Sequence, residues 1–257
     1  MKLYPKRRFS QNFLKHKGML RRIVECAGVD NKIVLEIGAG KGGLTRELAE
    51  RAFKVYSVEI DNDLAVVLKD LSLPNVVVVH RDFLTLDPGE FKPDIIVGNI
   101  PYSITTQILE KLVEQKNKFD RAVLTIQKEY GDRLLAHANE AAYGSISIFL
   151  QYHFRMEKGF IIPARFFTPV PRVNSMVVIM HKQDAPFALA NEDRFFRFVQ
   201  GIFCYRRKSL KNALKYLLRA VPTGVDEALL RKRPQELTVH DFHGLFTHPS
   251  LQLLTNP

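Results

Sequence analysis

A buried strand that runs into a glycine-rich turn constrains this chain more than any other feature of its sequence. Residues 33–37 (IVLEI) predict a buried strand, and the next six residues, GAGKGG, lead into a helix. Glycines allow a backbone to approach a ligand closely. A second strand ends at Glu59, 21 residues beyond Gly38, which is the spacing at which a carboxylate reaches ribose hydroxyls. The pattern predicts a Rossmann-like nucleoside site, and it satisfies the NAD fingerprint equally well.

Strands and helices continue to alternate along the chain. Beyond the strands at 33–37 and 54–58, strand-like composition recurs at residues 76–79, 94–97, 122–126, 145–154 and 175–181. A helix is predicted at 17–27, and only helices are predicted after residue 181, including 194–203 and 206–221. We therefore predict an α/β fold with a seven-stranded, mostly parallel sheet in residues 1–181 and a small all-helical domain in residues 182–257.

Polar residues follow two of these strands at their C-terminal ends, where open α/β sheets bind ligands. Asp82 comes shortly after the strand at 76–79. It could accept a hydrogen bond from the amino group of a bound adenine, or it could be an ordinary solvated loop aspartate.

The second of these sites is Asn99-Ile100-Pro101-Tyr102. An amide oxygen accepts hydrogen bonds without taking a proton, and Pro101 fixes the backbone so that the Ile100 carbonyl can point the same way. Two acceptors would hold an exocyclic amine, and Tyr102 would offer a flat face to its ring. These four residues suit an amino group on a planar heterocycle, as in adenine N6 methylation, although alone they also fit an ordinary strand-to-helix turn.

The positive charge of the chain is clustered. Lys and Arg number 38 against 27 Asp and Glu, which gives a net charge of +11. Residues 1–22 hold eight Lys or Arg and no carboxylate, and residues 194–219 hold another eight with none. Two acid-free basic tracts that flank a catalytic domain indicate a nucleic-acid partner.

Cysteine content and hydropathy indicate a cytoplasmic protein. Cys26 and Cys204 have no nearby Cys/His cluster, so we expect neither a disulfide scaffold nor a zinc site, and no other metal. No apolar run reaches transmembrane length, and the basic N-terminus leads into an amphipathic helix rather than a signal core. We expect no membrane association.

Ordered motifs along nearly the whole chain resemble the small-subunit rRNA adenine N6-dimethyltransferase (KsgA-like) family, which is related to the erythromycin-resistance rRNA methyltransferases. The matching segments are residues 9–14, 36–45, 58–61, 82, 99–102, 127–129, 143–151, 167–175, 203–214 and 233–237. The resemblance implies a class I methyltransferase fold and S-adenosylmethionine as cofactor. It also implies the substrate, two adjacent adenosines in the 3′-terminal hairpin loop of small-subunit rRNA, each methylated twice on N6 after leaving its stack.

The resemblance, the motif at residues 99–102 and the two basic tracts together give the candidate site residues. Cofactor contacts are expected at Gln11, Asn12, Leu14, Gly38, Gly40, Glu59, Ile60, Asp82, Phe83 and Asn99. Catalytic roles are expected at Asn99, Ile100, Pro101, Tyr102 and Phe167, where Phe167 either covers the flipped base or is a core phenylalanine. RNA contacts are expected at Arg7, Arg8, Arg206, Arg207, Lys208, Lys211 and Lys215.

Three alternatives remain open beside this hypothesis. The chain could methylate another adenine, in large-subunit rRNA or DNA. It could be a ribosome-assembly or transcription factor that has kept the fold, although the intact Asn99, Pro101 and Tyr102 argue against lost catalysis. It could be an NAD-dependent dehydrogenase, which would leave those three residues unexplained. The favoured hypothesis predicts a monomer that acts on rRNA in a pre-ribosomal small subunit.

Overall fold

A computed structural model describes residues 12–251. Within them the chain forms two compact units. Unit 1 comprises residues up to Gly131 together with His153–Gln183, and unit 2 comprises Asp132–Tyr152 together with the residues from Asp184 onwards.

Unit 1 is built on a seven-stranded sheet. Its strands are β2 (Ile33–Ile37), β3 (Lys54–Glu59), β4 (Val76–His80), β5 (Ile95–Asn99), β6 (Arg121–Gln127), β7 (Phe154–Ile162) and β9 (Ser175–Lys182). They lie in the order β4-β3-β2-β5-β6-β9-β7. The first five pair in parallel, and β9 pairs antiparallel with β6 and β7. The predicted fold class is confirmed.

A separate two-stranded ribbon pairs β1 (Phe13–Leu14) with β8 (Phe167–Thr168). The helices of unit 1 are α1 (Lys17–Ala27), α2 (Gly43–Ala49), α3 (Asn62–Asp70) and α4 (Thr105–Glu114). Helix α1 has the predicted bounds, because His16 caps its first turn and Gly28 ends it with a left-handed backbone. Its buried face packs into the core of unit 1 with Val34, Val55 and Val97.

Unit 2 is helical and has its own core. Helix α5 (Lys128–Leu135) leads into it from unit 1, and α6 (Ser145–His153), α7 (Glu192–Phe203), α8 (Leu210–Leu218), α9 (Glu227–Arg231) and α10 (Val239–Phe246) follow. Phe195, Leu214 and Phe242 are fully buried in this core. Helix α8 is shorter than the predicted 206–221, since Ser209 caps its start and Arg219 adopts a left-handed backbone at its end.

The strand predicted at residues 145–154 is wrong, because this segment forms helix α6. Its polar residues repeat at a spacing of four. Ser147 donates to the carbonyl of Arg133, and Gln151 donates to those of Leu134 and Ala136. These carbonyls lie at or just beyond the end of α5, where a helix leaves carbonyls without intrahelical partners. The seventh strand is instead β7, which was not predicted.

The domain boundary also differs in one segment from the prediction. Unit 1 ends close to the predicted residue 181, but residues 132–152 cluster with unit 2 rather than with the sheet. The physical reason is the burial of Tyr143 and Ile148, which belong to the hydrophobic core of the helical unit.

Among residues 12–251, none of the helices combines the length and the hydrophobicity that a membrane span requires.

Candidate active site

A cavity of about 200 Å³ lies in unit 1 at the C-terminal ends of β2, β3, β4 and β5. Its walls come from the glycine turn, the end of β3, the loop after β4 and the segment after β5. They include these predicted residues: Asn12, Gly38, Gly40, Glu59, Ile60, Asp82, Phe83, Asn99, Ile100, Pro101 and Tyr102. The strand order therefore brings together eleven residues that lie as many as 90 positions apart in sequence.

The glycine turn is tied to the end of β3. The N–H groups of Gly38 and Ala39 donate to the Val58 carbonyl, and the Gly40 N–H donates to Glu59 Oε2 at 2.7 Å. Gly40 has a φ of 59°, and a Cβ there would lie 3.0 Å from the Phe13 ring. Glycine is therefore required at this position, both for the backbone conformation and for the close approach of Phe13.

The Glu59 carboxylate is buried at the wall of the cavity. It accepts hydrogen bonds from the backbone of Gly40 and of Asp61, the latter at 2.9 Å. Burial raises its pKa, and these two hydrogen bonds oppose that shift. A carboxylate has about four acceptor sites, so two backbone bonds leave capacity for the hydroxyls of a ligand.

The next part of the wall carries one polar and one apolar group suited to a planar ring. Asp82 accepts from the Leu84 N–H through Oδ1 at 2.9 Å, which fixes the carboxylate at the cavity. Ile60 is 45% exposed there. The wall therefore offers a planar ring both an apolar surface and a hydrogen-bond acceptor.

The Asn99 side chain is oriented by a contact across 87 residues. Its Nδ2 donates to the Asn12 carbonyl at 2.8 Å. Because the nitrogen is bound there, Oδ1 is turned away as the acceptor. The next residue, Ile100, donates its N–H to the Thr125 carbonyl at 3.0 Å, which anchors the motif to β6.

Tyr102 is fixed by its hydroxyl. It shares a hydrogen bond of 2.8 Å with Ser175 Oγ, and Ser175 is fully buried at the start of β9. Burial raises the pKa of the Tyr102 hydroxyl, so it stays protonated at neutral pH. Tyr102 therefore presents a neutral ring in a defined orientation at the cavity wall.

A second cavity, of about 240 Å³, shares four lining residues with the first: Phe13, Gly38, Gly40 and Asn99. Leu14 and Glu36 line this second cavity. Glu36 is fully buried and accepts hydrogen bonds from Thr45 Oγ1 and Ser57 Oγ at 2.7 and 2.8 Å. Burial raises its pKa to about 7 against these hydrogen bonds.

A family model described as ribosomal RNA adenine dimethylase matches residues 4–237 of the chain. The chain belongs to the ribosomal RNA adenine dimethylase family. This confirms the resemblance seen in the sequence and the predicted enzyme class, and it excludes the NAD-dependent dehydrogenase.

Individual relatives agree with this assignment. Proteins named ribosomal RNA small subunit methyltransferase A from Streptococcus pneumoniae (strain P1031) and Streptococcus pyogenes serotype M5 (strain Manfredo) are 41% and 42% identical to it. Each alignment spans 221 residues, 81% of this chain and 76% of the relative.

Two solved structures share the fold over nearly the whole chain. A dimethyladenosine transferase from Plasmodium falciparum matches with a TM-score of 0.78 and 28% identity, covering 91% of this chain and 96% of that one. The 23S rRNA methyltransferase ErmE matches with a TM-score of 0.64 and 29% identity, covering 90% and 97%.

One predicted catalytic residue of this dimethylase does not lie at the cavity. Phe167 is 1% exposed and packs in the core of unit 1, where β8 pairs Phe167 with Leu14. This burial favours the core alternative, and the stacking role of Phe167 stays a prediction. Gln11, Arg7 and Arg8 lie outside the described residues.

Several cavity residues were not predicted from the sequence. Phe13, Arg81, Leu84 and Ile104 line the first cavity, and Ser175 holds Tyr102. Phe13 and Ser175 fall inside segments that match the family, which is the signal that could have identified them. Among residues 12–251, no group of three or more His, Cys, Asp or Glu side chains is arranged to hold a metal ion.

Proposed function

We propose that this dimethylase transfers methyl groups from S-adenosylmethionine to N6 of two adjacent adenosines in the 3′-terminal hairpin loop of small-subunit rRNA. The observation that carries the proposal is the Asn99–Asn12 hydrogen bond, because it occupies the amide nitrogen and leaves the amide oxygen as an acceptor in a residue that lines the cavity with the fixed Tyr102 ring. The curated relatives at 41–42% identity are named for the small subunit. The proposal implies a pre-ribosomal small subunit as partner and a cytoplasmic location.

The cavity residues fit a sulfonium nucleoside. Glu59 would accept hydrogen bonds from the ribose hydroxyls, Asp82 would accept from the adenine amino group, and Ile60 would cover the adenine face. Gly38, Gly40, Phe83 and the segment with Asn12 and Leu14 complete the proposed cofactor contacts. When bound, the cofactor supplies an electrophilic methyl group, which the N6 lone pair of the substrate takes as the carbon–sulfur bond breaks.

The catalytic residues would act mainly by positioning the amine. Asn99 Oδ1 and the Ile100 carbonyl would accept the two N–H groups of N6, which aligns the nitrogen lone pair with the methyl carbon. Pro101 fixes the backbone between them and Tyr102. The Tyr102 face would stack on the base and favour the positive charge that develops on it. We expect the proton to leave N6 for solvent after transfer.

Mapping of the methylated nucleotides tests this proposal. The purified protein would be incubated with labelled S-adenosylmethionine and with ribosomal subunits that lack the modification, and labelled adenosines would be located by mass spectrometry. We expect two adjacent dimethyladenosines in small-subunit rRNA, and much less of either with Asn99→Ala in the same incubation time. Label confined to large-subunit rRNA would favour the second candidate function, which the likeness to the 23S rRNA methyltransferase suggests. Absence of label in both RNAs would support a non-catalytic assembly factor.

The cofactor contacts can be tested separately with Glu59→Ala. A charge-assisted hydrogen bond contributes about 1.5–3 kcal/mol, so S-adenosylmethionine should bind roughly 10- to 100-fold more weakly. Calorimetric titration measures this, with the exposed Glu50→Ala as the matched carboxylate control in the same unit. Unchanged affinity in a folded Glu59→Ala variant would remove Glu59 from the site.

A further inference from the structure

Two tyrosines stack on each other at the surface of the helical unit. Tyr205 lies in the turn between α7 and α8, and Tyr216 lies in α8. Their ring centroids are 5.2 Å apart and the ring planes differ by 19°. Tyr216 is 57% exposed, whereas Tyr205 is half-buried. One tyrosine therefore supports the other and leaves it open to solvent.

The backbone of Tyr205, the residue with the supporting ring, is fixed by two hydrogen bonds. The Tyr205 N–H donates to the Ile202 carbonyl at 3.0 Å, and the Tyr205 carbonyl accepts from the Lys208 N–H at 2.8 Å. Tyr216 is held on a helix whose start is capped by Ser209. Both rings thus sit on ordered backbone, which lowers the entropy cost of placing a third ring against them.

The charged residues closest to this pair in sequence are all positive. Arg207 and Lys208 follow Tyr205 closely, and Lys215 and Arg219 flank Tyr216, all four of them exposed. Within residues 194–219 there is no carboxylate. Lys211, on the same helix, lies 3.6 Å from Glu227 and is partly neutralised by it. A second copy of this chain would bring a surface of the same sign against these cations, which disfavours a dimer contact.

A single exposed aromatic on a helix is ordinary and needs no explanation. This one differs because it is stacked on a second ring and its neighbours in sequence include exposed cations. Aromatic faces and cations together are the means by which proteins bind unpaired nucleic acid, since bases stack on the rings while Lys and Arg bind the phosphates. Paired RNA hides its base faces, so a stacking ring recognises only an unpaired base.

We propose that Tyr216, supported by Tyr205, is a stacking site for an unpaired base of rRNA. Lys215 and Arg219 bind the phosphates beside that base. This inference rests on the proposed contact of the helical unit with rRNA and adds to it a preference for unpaired over paired RNA at this surface.

Binding of the full chain to a fluorescent single-stranded RNA, and to the same strand in a duplex, tests the inference by anisotropy. Tyr216→Leu should weaken single-strand binding by about five- to tenfold, while Tyr216→Phe keeps the ring and should bind like the wild type. Duplex binding should be unchanged in both variants. The dependence of affinity on salt should also be unchanged, because no charge is removed.

Two further variants separate the possible outcomes. Phe53→Leu, which removes a 67% exposed ring from unit 1, is the matched aromatic control and should have no effect. Lys215→Gln should weaken binding to both RNAs and reduce the salt dependence.

If Lys215→Gln acts in this way but Tyr216→Leu binds the single strand like the wild type, the stacking site is overturned and the rRNA contact stands. If the wild-type protein binds neither RNA, both proposals fail.

Discussion

Asn99 lines the cavity and donates its amide nitrogen to the Asn12 carbonyl, so the proposed mechanism needs both the nitrogen and the oxygen of its amide. Asn99→Asp keeps an acceptor oxygen but loses the donor, and it places a carboxylate oxygen against the Asn12 carbonyl that now lies 2.8 Å from Nδ2. We expect single-turnover methylation at saturating cofactor to fall by at least about tenfold, or 1.4 kcal/mol, with cofactor affinity retained or raised. Asn99→Ala should be slower still.

A matched control exists in the same unit. Asn75 Nδ2 donates to the carbonyls of Ala49 and Ala52, outside the cavity. Asn75→Asp should lower the melting temperature without changing the specific activity. A fully active Asn99→Asp enzyme would reject the positioning mechanism and imply that this position can act as a base.

The hydrogen bond between Tyr102 and Ser175 predicts a non-additive pair of variants. If the bond fixes the ring that stacks on the substrate, Tyr102→Phe and Ser175→Ala should each slow single-turnover methylation by roughly fivefold, since a hydrogen bond contributes about 1 kcal/mol. The double variant should be no slower than either single variant, because both remove the same bond.

Tyr130→Phe is the control for loss of a tyrosine hydroxyl. Its hydroxyl shares a 2.8 Å hydrogen bond with Thr106 Oγ1, and neither residue lines the first cavity. This variant should keep the wild-type rate. Additive losses in the Tyr102–Ser175 cycle would show that the two residues act independently.

At the scale of elements, Glu36 connects three secondary-structure elements. It lies on β2 and accepts hydrogen bonds from Thr45 on α2 and from Ser57 on β3. Its pKa is raised from an ordinary 4.5 to about 7 by burial, so the folded state binds a proton that the unfolded state releases. The free energy of unfolding should therefore fall as the pH rises from about 4.5 to 7, by on the order of 3 kcal/mol.

Glu36→Gln isolates this contribution, because an amide oxygen can still accept from both hydroxyls and does not titrate. Denaturant unfolding at several pH values should give a wild-type stability that decreases relative to the variant between pH 5 and 7. A constant difference across that range would mean that Glu36 does not titrate there. His153, whose pKa is lowered to about 4 by burial and by Lys116, affects stability in the opposite direction and cancels in the comparison.

At the scale of the whole molecule, the net charge of +11 predicts RNA binding that weakens steeply with salt. A triple variant in which Gln replaces Arg207, Lys211 and Lys215 should lose about two to three phosphate contacts. The slope of log affinity against log salt should become shallower in proportion. The expected loss is below three because Lys211 is partly paired with Glu227. Filter binding over a series of salt concentrations measures the slope.

Three exposed lysines of unit 1 provide the control for net charge. Neutralising Lys69, Lys92 and Lys118 removes the same charge from outside the basic tract. This control should change the slope much less than the tract variant. Equal slopes in the two triple variants would mean that overall charge, rather than the surface of α8, determines RNA binding.

The sequence by itself determined the parts of this protein that depend on neighbours along the chain. Hydrophobic runs defined β2 to β6. The turn glycines, Glu59 and Asn99 lie at or just after the C-terminal ends of these strands, which meet at one edge of a parallel sheet. The site could be predicted because each residue's place follows from the strand before it.

Only the tertiary structure decided the features that rest on distant contacts. The carbonyl that orients Asn99 lies 87 residues earlier, and the hydroxyl that fixes Tyr102 lies 73 residues later. Phe167 is buried because β8 pairs with β1, and residues 145–153 are helical because their polar groups satisfy carbonyls at the end of α5. Local pattern carries no information about such partners, since chain folding alone brings them within hydrogen-bonding or packing distance.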